Sequence, residues 1–143
     1  MGKKKPIKLL EKTDEFNAVL CKLGTSWEIE DSDYKSLEVL FCHLYGHKKL
    51  SDINEVRLHV LSKKCNNDER INPNKSIDFS SFPPCSSTLM EHIKRVNYQV
   101  MIWKCAEQQF IEMEDPTEHG WTKVDESFLE PTWTKEDILP EEL

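Results

Sequence analysis

Glycine is scarce in this chain. Four occur in 143 residues, at positions 2, 24, 46 and 120. No phosphate-cradling Gly-rich loop can be built from so few at such distances, which excludes P-loop and dinucleotide-binding signatures. There is no GxSxG nucleophile turn and no CxxC pair. Cysteines 21, 42, 65, 85 and 105 are odd in number and scattered singly, a pattern that fits reduced thiols. No apolar run is long enough to span a membrane, and the start MGKKKPIKLL lacks the apolar core of a signal peptide. The expectation is an intracellular protein, nuclear or cytoplasmic, with no membrane partner.

The residues that are present describe an ordinary globular chain, 38% hydrophobic and 31% charged. Its net charge of −7 is unevenly spread. Residues 1–12 carry five lysines against one glutamate, and residues 112–143 carry eleven acids against two lysines. A basic head and an acidic tail are therefore separate features on a nearly neutral middle. An overall acidic balance excludes a protein that coats nucleic acid with its whole surface.

Periodicity sets the fold class. Leu89, Ile93, Val96, Val100 and Trp103 recur at alternating spacings of four and three, which places them on one helical face. Met90, Asn97, Met101 and Ile102 widen that stripe, predicting burial on more than one side. Thr88 with Glu91 fits a capping box behind Pro83-Pro84. The spacing predicts a long central helix over about 86–111. Shorter helices precede it: one opened by Pro6, one capped by Thr13 or Asp14 and stopped at Gly24, one capped by Asp31 or Ser32 and stopped at Gly46, and one opened by Asp52 with Glu55. Residues 62–76 read as an exposed loop. Residues 120–124 and 128–133, around an Asp-Glu-Ser turn, read as a small hairpin with Pro131 on an edge. The expected architecture is mainly α, about five helices around one long helix plus a C-terminal β-hairpin. It forms one domain over 1–133, followed by an acidic, flexible tail over 134–143.

Candidate chemistry is thin. Cys42, His43 and His47 are the nearest approach to a metal cluster, but Gly46 intervenes and adjacent residues diverge, so a core cysteine beside two surface histidines is the plainer reading. Cys85, at a helix start, is the one thiol whose pKa a helix dipole would lower, and packing or incidental placement is the plainer reading. Eleven of the 26 carboxylates lie in the acidic stretch 112–143, and no set converges as a nuclease requires. No catalytic residue, metal, cofactor or small-molecule substrate is assigned. Two binding candidates stand. Gly2, Lys3, Lys4, Lys5 and Lys8 surround a helix start, where free N–H groups and lysines suit a phosphate; the plainer alternative is a solvated basic terminus. Trp121 and Trp133, on opposite hairpin strands, suit a partner surface; the alternative is that they cover the helical core.

The order MGKKKPIKLLEK, LGTSWEI, CHLYG, FPPCSSTLMEHIKRVNYQVMIWK, DPTEHGW and EPTW resembles the C-terminal module of uncharacterised, often multi-copy proteins of invertebrate genomes associated with mobile elements. The resemblance covers nearly the whole chain. Its most specific pieces are Pro83-Pro84-Cys85, Arg95-Val96-Asn97-Tyr98 with Ile102-Trp103, and Glu118-His119-Gly120-Trp121. In those longer proteins the upstream part resembles flap-endonuclease and PIN-like nucleases, and the segment like MGKKKPIKLLEK closes a phosphate-holding helix–hairpin–helix. The resemblance implies a non-catalytic accessory module without the acidic catalytic part. It would make weak contact with a DNA or RNA backbone through the basic helix start. The alternative is a protein–protein interaction module using the acidic tail and the hairpin aromatics.

Overall fold

The computed structural model describes residues 4–67, 82–110 and 112–134. Five helices run in order: α1 Lys4–Leu10, α2 Asp14–Lys22, α3 Asp31–Leu44, α4 Ile53–Asn67 and α5 Ser86–Lys104. A 3-10 turn, Pro116–His119, leads into an antiparallel hairpin of β1 Trp121–Asp125 and β2 Phe128–Pro131. The mainly α architecture with a small C-terminal hairpin is the expected one.

Helix boundaries follow local chemistry. Asp31 and Asp33 place negative charge on the N-terminal turn of α3, where the helix dipole favours it. At α4 the Asp52 carboxylate accepts the Asn54 N–H at 2.7 Å, satisfying one of the orphan donors of the first turn. Glu38, buried on α3, accepts the Ile53 N–H at 3.2 Å and the Ser86 hydroxyl at 3.0 Å, so one carboxylate ties the starts of α4 and α5 to α3. The Lys104 ammonium donates to the Leu23 carbonyl at 2.7 Å and closes the C-terminal end of α2.

The core is built by Phe16 and Val19 of α2, Leu37, Leu40 and Cys42 of α3, Ile53 and Val56 of α4, and Leu89 and Ile93 of α5. α5 is buried on two sides. One side carries Leu89 and Ile93 against the other helices. The other carries Glu91, Arg95 and Tyr98 beneath the C-terminal segment.

Four expectations need correction. α5 ends at Lys104, with Cys105 as its C-cap, rather than near 111. Trp103 lies on its surface, 67% exposed. A straight helix drifts by about 20° per heptad, so a stripe begun at Leu89 has turned some 40° by Trp103, and Lys104 faces α2 instead. The N-cap of α5 is Cys85, not Thr88, which lies inside the first turn. The expected loop over 62–76 is helical through Asn67, and its remainder lies outside the described residues. Lys63 and Lys64 carry α4 beyond its last aliphatic residue because lysine is a good helix former, and Lys64 in the last turn suits the dipole.

Leu89→Ala is expected to cost about 2–5 kcal/mol, the usual range for emptying a fully buried leucine site. Trp103→Ala is expected to change stability by only about 0.5 kcal/mol. Guanidinium denaturation of the two variants side by side measures both.

Candidate functional site

The C-terminal segment is held to α5 by polar groups. The Arg95 guanidinium donates to the Gly120 carbonyl at 2.9 Å and to the Thr132 carbonyl, spanning both arms of the hairpin. Gly120 has φ +81°, and a Cβ there would collide with the Glu91 carbonyl oxygen. Only glycine allows both the left-handed turn and that approach. The hairpin register runs Trp121↔Pro131, Thr122↔Glu130 and Lys123↔Leu129, then slips so that Asp125 faces Phe128.

Between this hairpin and residues 113–117 lies a groove of about 530 Å³. Met113, Phe128 and Leu129 give it apolar walls and are 51%, 61% and 41% exposed. Glu114, Asp115, Asp125 and Glu126 line it as well, against one cation, Lys123. The Asp115 carboxyl is held below its ordinary pKa, chiefly by hydrogen bonds from the Thr117 amide and hydroxyl, so the groove keeps its negative charge. Sequence reasoning named the hairpin but not Met113, Phe128 or Leu129. Their signal was large apolar residues embedded in an acidic stretch.

Trp133 lies just past β2, 67% exposed, with its ring 5.7 Å from the Arg95 guanidinium. Trp121 is half-buried, and its indole N–H is enclosed without a hydrogen-bond partner among the described residues. Neither tryptophan lines the groove. At the other end of the chain, Lys4 and Lys8 are exposed, one helical turn apart on α1. Lys5 lies in the same helix, while Gly2 and Lys3 fall outside the described residues. Of the acidic tail, only Thr134 is described.

Cys42, His43 and His47 are not brought together. Cys42 is buried, its thiol pushed up to about 11 mainly by desolvation. His43 sits edge-on to Phe16, and His47 packs against His59 past the end of α3. Cys85 is different. Its sulfur lies 3.3 Å from the Ser87 hydroxyl and 3.1 Å from the Thr88 hydroxyl at the start of α5. Partial burial opposes its ionisation. Hydrogen bonds from those hydroxyls and the nearby Arg57 charge outweigh it, so the thiol pKa falls below its ordinary value.

A further set was not legible in the sequence. Glu28 comes from a segment far from the one that carries Glu114 and His119, yet the donor atoms of all three lie within 4.8 Å of one another. His119 is almost fully buried, and its Nε2 is 2.9 Å from a Glu114 carboxylate oxygen. An apolar cavity of about 250 Å³ lies elsewhere, among α1, α2, α3 and α5, with His92 on its wall. No family model, curated protein or solved structure matches this chain.

Cys85 is expected to be carbamidomethylated by iodoacetamide well before Cys42 near neutral pH, because thiolate fraction and access both favour it. Peptide mass spectrometry over a time course measures the two rates. Replacing Arg57 by Ala is expected to slow the reaction at Cys85.

Proposed function

We propose that the chain is a non-catalytic interaction module that seats a basic, apolar segment of a partner protein in the hairpin groove. The observation that carries this reading is the exposure of Met113, Phe128 and Leu129 within a ring of four carboxylates. Three large apolar side chains left to water beside one another favour a covering partner. The acids set its charge, since lysine or arginine flanking an apolar anchor complements the rim. The exposed strand edges of a two-stranded hairpin add main-chain donors and acceptors for an extended segment.

Peptide display against the full chain is expected to select sequences with lysine or arginine around large apolar residues. Phe128→Ser and Leu129→Ser are each expected to weaken a selected peptide by at least about 10-fold without lowering thermal stability, since both side chains are exposed. Raised salt is expected to weaken it further. Selection without a basic-apolar consensus, or binding indifferent to both substitutions, overturns the reading.

A second reading rests on Lys4 and Lys8, exposed on the same face of α1. In it the chain is an accessory module of a mobile-element-derived, nuclease-like protein, as the resemblance implies, and α1 makes weak phosphate contacts. Affinity for duplex or single-stranded DNA is then expected to be about micromolar or weaker and to fall steeply with salt. Replacing Lys4 and Lys8 by Ala is expected to flatten the salt dependence by roughly one unit of logarithmic slope for each phosphate that is no longer neutralised. Fluorescence anisotropy at two salt concentrations measures it, and absence of binding at low salt removes the reading.

A further inference from the structure

We propose that Glu28, Glu114 and His119 form a binding site for one divalent d-block ion, with Zn²⁺ the best match. One imidazole nitrogen and two carboxylate oxygens are a borderline donor set, suited to Zn²⁺ and its neighbours rather than to the all-oxygen shells of Ca²⁺ and Mg²⁺. Donors around a tetrahedral ion bound at about 2.0–2.2 Å lie roughly 3.3–3.6 Å from one another. His119 Nε2 and Glu114 Oε2, hydrogen-bonded at 2.9 Å, need to spread by only about half an ångström to admit it. Glu28, exposed and able to swing, completes a group whose donor atoms lie within 4.8 Å of one another. Glu28 and Glu114 are both exposed, so their carboxylates bring negative charge to the open side of the His119 ring, where a cation is favoured.

The donors are positioned by a scaffold of their own. Asn97 donates to the Ser26 and Trp27 carbonyls at 2.8 and 2.9 Å, fixing the loop that carries Glu28. The next residue, Tyr98, donates from its hydroxyl to the Glu114 carbonyl at 3.0 Å. The His119 ring stacks on the Tyr98 ring, with centroids 5.1 Å apart and planes 21° apart, and Trp27 packs against both. His119 is 2% exposed, so its ring cannot turn away from the carboxylates. One turn of α5 thus holds both donor-bearing segments, the supporting shell that metal ligands need. The open side, towards Glu28 and the exposed Glu114, leaves the remaining coordination positions to water.

Calorimetric titration of the untagged, chelator-stripped full chain with Zn²⁺ tests this, beside Glu28→Gln and Glu114→Gln. The expected result is one ion per chain. Affinity is expected to fall by at least about 10-fold in each variant, as for loss of a supporting group or more. Both altered side chains are exposed, so each variant is expected to keep the wild-type circular dichroism spectrum, and the test needs no substitution at the buried His119. Phe128→Ser is expected to bind Zn²⁺ as the wild type does, which separates this site from the groove. Absence of saturable uptake overturns the proposal. So does uptake unchanged in Glu28→Gln and Glu114→Gln, which would assign the ion to cysteine thiols and leave His119 and Glu114 as a structural hydrogen-bonded pair.

Discussion

The Asn97 carboxamide, 2% exposed in the middle of α5, accepts the Gly24 N–H at 2.7 Å and donates to the Ser26 and Trp27 carbonyls. Three backbone groups of a tight connector are satisfied by one side chain, so the connector can lie against the helix without stranding polar groups away from water. Gly24 makes the approach possible. Its φ is +70°, and a Cβ there would meet the Val100 side chain and the Met101 backbone at under 3 Å. The same device recurs just upstream on α5, where Arg95 holds the hairpin carbonyls and Gly120 lies on the Glu91 carbonyl. Short polar clamps paired with left-handed glycines bring two non-helical segments onto one helix. Apolar burial alone would not fix their positions to within a hydrogen bond, because it is non-directional.

This explains what the sequence revealed and what it hid. Helices α1 to α4 are announced by apolar spacing and by Gly24 and Gly46, which mark real stops. Leu89 and Ile93 set the core face of α5 in the same way. The second buried face of that helix is made of Glu91, Arg95 and Tyr98, and a pattern reading assigns such residues to the surface. The burial of Arg95 and Tyr98 depends on carbonyls supplied by Gly120, Thr132 and Glu114, which lie 16 to 37 residues away. Partners at such separations leave no periodic trace. Trp103 errs in the opposite direction, since a strict seven-residue spacing drifts round a straight helix and carries an apolar residue off the core face into solvent.

The candidate sites divide along the same line. The hairpin was legible because strand residues flank a turn. Its exposed Phe128 and Leu129 were not, because alternation does not say which face finds a partner. Cys85 was legible as a thiol at a helix start, and the Ser87 and Thr88 hydroxyls add what position alone does not give. Glu28, Glu114 and His119 belong to segments separated by as many as 91 positions in the chain. Nothing in their local spacing joins them. They meet because Asn97 and Tyr98, adjacent on α5, fix the connector carrying the first and the segment carrying the other two.

That adjacency bears on how a partner and an ion would influence one another. Glu114 belongs to the donor set and also lines the groove, and its backbone carbonyl is the acceptor for Tyr98. An ion drawing Glu114 towards His119 would remove one negative charge from the groove and stiffen the 112–117 wall beside Phe128. Stiffening lowers the ordering cost of binding an extended segment, while the lost charge lowers its electrostatic attraction. The two effects oppose each other, and ionic strength separates them. Screening suppresses the charge effect at high salt and leaves the ordering effect in place. Zn²⁺ is therefore expected to strengthen peptide binding at high salt more than at low salt. Peptide affinity in Glu28→Gln should lose most of this dependence on the ion.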